Sequence, residues 1–188
     1  MKILYLGLNP KPNTYHYPVI RTHLCGDLQP ALQLWSQFTH IIFTSQTAVN
    51  YWPGPWDKIL LAIGPSTAAS LQAKGFDPQI APEATQEGIM ELIKDMDSYF
   101  FLPRSRLARS ALTDYMTEHK MRYFVLDLYD TVFQKPEPVP NLADFDEIIF
   151  TSPSTVEGFL RIYGALPKGK KLTAIGPITE RAIHLRHE

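Results

Sequence analysis

Two short words occur twice in this chain, in the same order. Ile41-Ile42-Phe43-Thr44-Ser45 recurs as Ile148-Ile149-Phe150-Thr151-Ser152, and Ala62-Ile63-Gly64-Pro65 recurs as Ala174-Ile175-Gly176-Pro177. The two words recur at nearly the same offset, 107 and 112 positions later (148 − 41 and 174 − 62), which points to an internal duplication. Each word has the chemistry of a strand running into a turn and a helix. Ile-Ile-Phe is apolar, β-branched and short, as a buried strand requires. Thr-Ser supplies hydroxyls that accept from the unpaired amides of a first helical turn. In Ala-Ile-Gly-Pro the glycine permits a tight turn, and proline suits a first helical position, where no N–H is needed. The duplication therefore predicts two similar units whose turns lie at the carboxyl ends of parallel strands. Ligands of open α/β sheets bind at that edge, and helix starts there favour anions.

The rest of the chain alternates strand and helix patterns, which argues for parallel sheets covered by helices. Strands are expected at Lys2–Leu8, Val19–Thr22, His40–Phe43, Lys58–Ile63, Gln79–Ala81, Tyr99–Leu102, Arg122–Leu128, Glu147–Phe150 and Lys171–Ile175. Helices are expected at Asp27–Phe38, Thr47–Trp52, Ser66–Lys74, Thr85–Met96, Leu107–His119, Val156–Tyr163 and Ile178–Leu185. No amphipathic helix fits between the first two strands, so the opening is abbreviated. Gln134 to Pro140 is proline-rich and extended, a natural crossing between domains. The expected layout is a complete α/β domain over 25–134, inserted into a smaller discontinuous domain made of 1–24 and 135–188. The smaller domain stops one turn-strand-helix short of its twin, and small domains are marginal.

Composition limits the partners. Hydrophobic residues make up 45% of the 188 and charged ones 20%, ordinary for a globular protein. No apolar run reaches the ~20 residues of a membrane-spanning helix, and the start leads straight into a strand and not a signal peptide. One cysteine, Cys25, fits a reducing, cytoplasmic setting. A net charge of −1 offers no global field for nucleic acid. There is no phosphate loop or dinucleotide fingerprint. His184 and His187 would need further ligands to hold zinc, so neither a metal nor a cofactor is expected.

Taken together, Phe-Thr-Ser before a helix, Ile-Gly-Pro-x-Thr, a strand ending in Tyr129-Asp130-Thr131, Pro82-Glu83-Ala84-Thr85 before a helix, the proline-rich return crossing and the second copy of both words resemble uroporphyrinogen-III synthases. The resemblance runs the length of the chain. It implies two α/β domains joined by a two-stranded connector, with the active site in the cleft between them. It implies a hydro-lyase of tetrapyrrole (heme) biosynthesis, acting as a monomer without metal or cofactor. Its substrate is hydroxymethylbilane, whose eight carboxylates suit helix N-termini. That chain loses its hydroxyl as water, its last pyrrole inverts through a spiro intermediate, and the ring closes to uroporphyrinogen III. The helix that the family carries after the first strand is replaced here by Pro10 to Tyr15. Its last strand and helix have no counterpart, so the contacts they make do not carry over.

Tyr129 matches the family tyrosine that assists departure of the hydroxyl; a phenol is protonated at neutral pH and can donate. Otherwise it is a strand-end tyrosine that packs on the linker. Thr44, Ser45, Thr67, Ser152 and Thr179, with Gly64, Ser66, Ser154 and Gly176 in the same turns, are candidate carboxylate contacts; otherwise they are helix caps. Arg104, placed at a turn, is the best carboxylate clamp. Arg109 matches a basic family position, and Arg106 ranks below both; otherwise all three lie on a solvated helix face. Lys168, Lys170 and Lys171 read as solubility charges, and Trp35, Trp52 and Trp56 as packing. The competing readings are a non-catalytic, hinge-type two-domain binder of a small polyanion and a degenerate family member kept for protein interaction.

Overall fold

The computed structural model describes residues 1–186. In chain order its elements are β1 (Ile3–Tyr5), β2 (Tyr15–His16), β3 (Ile20–Leu24), α1 (Gln29–Gln33), β4 (His40–Phe43), α2 (Gln46–Tyr51), β5 (Ile59–Ala62), α3 (Pro65–Gln72), β6 (Gln79–Ile80), α4 (Gln86–Ile93), β7 (Tyr99–Ser105), α5 (Ala111–Glu118), β8 (Arg122–Phe133), β9 (Glu147–Phe150), α6 (Pro153–Tyr163), β10 (Lys171–Ala174) and α7 (Pro177–His184). The chain forms two compact units: an inner unit, His23–Asp130, and an end unit made of Met1–Thr22 and the chain from Thr131 onward.

The larger sheet has the order β3-β8-β7-β4-β5-β6; it belongs to the inner unit apart from Ile20–Thr22 of β3 and Thr131–Phe133 of β8. From β8 to β6 every pair is parallel. The chain enters in the middle at β4, steps outward through β5 and β6, then returns to the other side of β4 for β7 and β8. The order thus reverses between β4 and β7, where open sheets leave a ligand crevice at the strand carboxyl ends. The edge strand β3 runs the other way. Gln134 N–H donates to Val19 C=O and Cys25 N–H to Leu128 C=O. Partner numbers fall on one strand as they rise on the other, which is the antiparallel pattern.

The end unit contains the order β10-β9-β1-β2, all parallel. Here the reversal falls between β9 and β1. The repeated words therefore occupy equivalent places: β4 and β9 carry Ile-Ile-Phe beside a reversal, and β5 and β10 flank them. Both central strands are buried along their whole length. β1 and β2 are joined without a helix, as the prolines of that loop predict. Each unit has its own apolar core. Leu4, Leu6, Val19, Ile148, Phe150 and Phe159 fill the end unit. The inner unit is packed on both faces of its sheet, by Phe38, Phe43, Trp52 and Phe101 on one and Ile42, Leu61, Ile89 and Phe100 on the other. Trp35 stacks on Trp52, with ring centroids 5.6 Å apart, and Trp56 on Phe43, so the three tryptophans are packing residues.

Several expected boundaries move. The helix expected over Asp27–Phe38 is α1 followed by a separate 3-10 turn, Trp35–Gln37. Asp27 Oδ1 accepts from Gln29 N–H at 3.0 Å at the start of α1, and the break after it lets Trp35 reach the core. The helix expected from Leu107 begins at Ala111, which leaves Arg109 in the loop before it. β7 continues through Pro103 to Ser105, past the expected stop at Leu102. Its ladder with β4 runs as far as Phe101, so beyond that point Pro103 has a single ladder, with β8, and its missing N–H is tolerated. β8 does not end at Tyr129 but runs on to Phe133, because β3 supplies a partner along its far edge.

Candidate functional site

The carboxyl edge of the inner sheet is built from the ends of β4 and β7 and the middle of β8. Ser45 adopts extended backbone at the end of β4, and its Oγ accepts from Ala48 N–H at 3.0 Å, capping α2. The same oxygen lies 3.0 Å from the Tyr129 hydroxyl. Tyr129 is 6% exposed, and its ring stacks on Tyr51 at 5.8 Å. Burial pushes its phenol above the ordinary value, while hydrogen bonds with Ser45, Thr47 and Ser105 pull the other way. One aliphatic hydroxyl, Ser45, is thus within hydrogen-bond distance of the phenol, and those of Thr47 and Ser105 also favour its ionised form. The arrangement can hold a neutral proton donor and can receive the charge left when the proton goes.

Arg104 does not stand at a turn. It lies within β7, and its Nε donates to Asp127 Oδ1 on β8 at 3.2 Å. Arg106 is 3.5 Å from Asp130, and Arg109 is 3.9 Å from Glu87. At the second word of this unit, Gly64 is buried and caps α3 with backbone alone. A Cβ at Gly64 would sit 2.6 Å from the Ala84 Cβ, so glycine serves close approach there and not a turn. Ser66 is exposed in the first turn of α3, whereas Thr67 is only 2% exposed.

In the end unit Ser152 caps α6 through a reciprocal pair of bonds with Thr155, and Ser154 is half-buried in the first turn. Gly176 precedes α7 at φ 90, the left-handed region that favours glycine. Thr179 is 3% exposed and donates to Ile175 C=O at 3.3 Å. The duplicated words are thus alike as strands and caps, but their glycines are needed for different reasons. Lys170 and Lys171 are not solubility charges alone. Lys170 Nζ donates to Phe145 C=O at 2.5 Å, and Lys171 pairs with the buried Glu147 at 3.1 Å. No group of three or more His, Cys, Asp or Glu among the described residues could hold a metal; His187 lies outside them. No helix among them is long and apolar enough to cross a membrane.

A match to the family model described as uroporphyrinogen-III synthase HemD spans residues 13–186. The chain belongs to that family. A protein of Methanothermobacter thermautotrophicus assigned as a uroporphyrinogen-III synthase is 30% identical over 170 residues, covering 76% of this chain and 67% of the relative. A uroporphyrinogen-III synthetase structure from Helicobacter pylori aligns with TM-score 0.70 at 17% identity, over 100% of this chain and 89% of that one. A mutant uroporphyrinogen III synthase from the extreme thermophile Thermus thermophilus aligns with TM-score 0.65 at 18% identity, over 98% and 88%. At such identities these structures speak for the fold: the two-domain α/β architecture of uroporphyrinogen-III synthases. Thr47 and Ser105 had no sequence signal of their own. Ser105 comes beside Tyr129 because β7 lies next to β8, and Thr47 because α2 follows β4 on the other side of β7; only the strand order reveals either.

Proposed function

We propose that this protein is an active uroporphyrinogen-III synthase, a hydro-lyase that converts hydroxymethylbilane to uroporphyrinogen III, with Tyr129 as its proton donor. The observation that carries the reading is the Tyr129 hydroxyl, held 3.0 Å from Ser45 Oγ at the reversal point of the inner sheet, in a chain of this family. Tyr129 gives its proton to the departing hydroxyl. The C–O bond breaks with its electron pair, leaving water and a cation on the terminal methylene. The substituted α-carbon of the last pyrrole attacks that methylene with its ring electrons to give the spiro intermediate, whose older bond to the neighbouring methylene then breaks, and the ring closes inverted through its free α-carbon. The closing carbon then loses a proton, which restores the phenol.

The cation is stabilised by its own pyrrole, so holding it in shape matters more than creating it. The substrate's carboxylates are bound by turn amides and hydroxyls at Thr44, Ser45, Gly64, Ser66, Thr67, Ser152, Ser154, Gly176 and Thr179, assisted by Arg104 and Arg109. Thr67 and Thr179, being buried, act through their backbone amides.

The test is the product isomer. Fresh hydroxymethylbilane incubated with the protein gives the type III isomer, whereas spontaneous closure gives type I. Tyr129→Phe lowers kcat about tenfold, less than the ~100-fold or more of a general acid on which everything depends. Type I product alone, at any protein concentration, rejects the reading.

A further inference from the structure

Around Tyr129 the β7–β8 ladder is irregular. Arg104 pairs with Asp127, but the next residue, Ser105, pairs with Tyr129, and the register shifts between Arg104 and Ser105. Leu128 is the extra residue of this bulge. A regular ladder would set Ser105 opposite Leu128. Paired residues of a parallel sheet point to the same face, so the bulge places the Ser105 side chain on the Tyr129 side. Bulges commonly re-aim a side chain beside an active site.

The local hydrogen bonds fix the hydroxyls. Ser105 Oγ accepts from Leu107 N–H at 3.1 Å, and Ser45 Oγ accepts from Ala48 N–H at 3.0 Å. Each oxygen is pinned by a backbone amide, and each retains a proton to offer. Thr47 stands two residues beyond Ser45 in the first turn of α2, and its hydroxyl is a third that favours the ionised phenol. A phenol has one proton and two acceptor positions. It can donate to one hydroxyl at most, so any further hydroxyl bonded to it acts as a donor. Arg106 N–H donating to Tyr129 C=O at 2.9 Å holds the backbone on the far side of the bulge.

We propose that Ser105 and Thr47 are positioning residues for Tyr129, completing with Ser45 a hydroxyl cradle that orients the phenol and stabilises the phenolate. The inference rests on the synthase reading for its chemistry. The Tyr129 O–H bond breaks as the substrate hydroxyl leaves as water. The phenolate then accepts up to three O–H bonds, until the proton lost on ring closure restores it. No group outside the substrate and Tyr129 gains or loses a proton over the cycle.

The test has two independent readouts. Tyrosine labelled at 13Cζ gives a Tyr129 resonance, assigned by its loss in Tyr129→Phe. Ser105→Ala and, separately, Thr47→Val shift that resonance, and Ser105→Thr, which keeps the hydroxyl, restores it toward the wild-type position. A Tyr129 resonance unmoved in both deletions overturns the cradle, whether or not the protein is a synthase. In the isomer assay Ser105→Ala lowers kcat several-fold with KM unchanged, and adding it to Tyr129→Phe costs nothing more, since coupled residues are non-additive. An equal, additive loss in the Tyr129→Phe background also overturns the proposal. If the wild type yields only type I product, the synthase reading falls while the resonance still decides the cradle. Should Ser105→Ala fail to fold, Thr47→Val carries both measurements.

Discussion

Replacing Thr155 by Val tests how the end unit holds its longest helix. Thr155 is fully buried. Its Oγ1 accepts from Thr151 N–H at 3.1 Å and from Ser152 N–H at 3.2 Å, and donates to Ser152 C=O at 2.7 Å. Valine has nearly the same shape, so no cavity forms. The loss is two acceptor contacts for two half-buried amides at the start of α6. An orphaned donor costs about 1–3 kcal/mol when buried; partial exposure places each near the lower end, for about 2–3 kcal/mol together. The Ser152 carbonyl keeps the Thr155 and Val156 amides as partners, so it adds little.

Urea unfolding measures this unit separately. All three tryptophans lie in the inner unit, and the two units have distinct cores. Far-UV circular dichroism follows both. With an m-value of about 1.5 kcal/mol/M, Thr155→Val moves the dichroism transition of the end unit down by about 1.3–2 M. The tryptophan fluorescence midpoint stays in place. Thr155→Ser keeps the hydroxyl and loses one buried methyl, costing about 1 kcal/mol. A Val variant as stable as the Ser variant, or more so, refutes the reasoning.

Two further substitutions probe the twin units. The Thr173 hydroxyl, and after it Lys171, hold the Glu147 carboxyl below its ordinary value. A depressed folded pKa contributes stability that is present above the unfolded value of ~4.3 and lost as pH falls through the folded value. The end unit of the wild type therefore loses stability in that acid window, and Glu147→Gln, already less stable at pH 7, shows a shallower loss; parallel pH profiles by circular dichroism would refute it. Gly64→Ala drives a methyl into Ala84 and costs about 1–3 kcal/mol as overpacking, measured by the fluorescence transition. Ala84→Gly in the same chain recovers part of that cost, which an intrinsic backbone preference at Gly64 would not allow.

What the residues announced and what they concealed divide along a physical line. Ile-Ile-Phe-Thr-Ser could be read twice because a buried strand and its cap are local: the apolar run needs the interior, and the serine satisfies amides three residues away. The alternation of strands and helices was legible for the same reason. Element ends were less so. The strand expected to end at Leu102 runs on through Pro103, because only the neighbouring strands decide whether an N–H is missed.

Tyr129 stood out in the sequence through its motif, but it looked like the end of a strand. The sheet made it an interior residue of β8, buried it, and brought Ser45 from β4, Thr47 from α2 and Ser105 from β7 around it. Likewise Arg104 was visible as a cation, while its partner, Asp127, came from an adjacent strand. The chain's order alone determined the duplication, the parallel α/β class and the caps, because those rest on contacts within a turn or on the period of burial. Tertiary structure decided which hydroxyls meet the phenol, which glycine is crowded and which charges are paired. Those contacts join residues distant in sequence, and strand order and register, including one bulge, set their geometry.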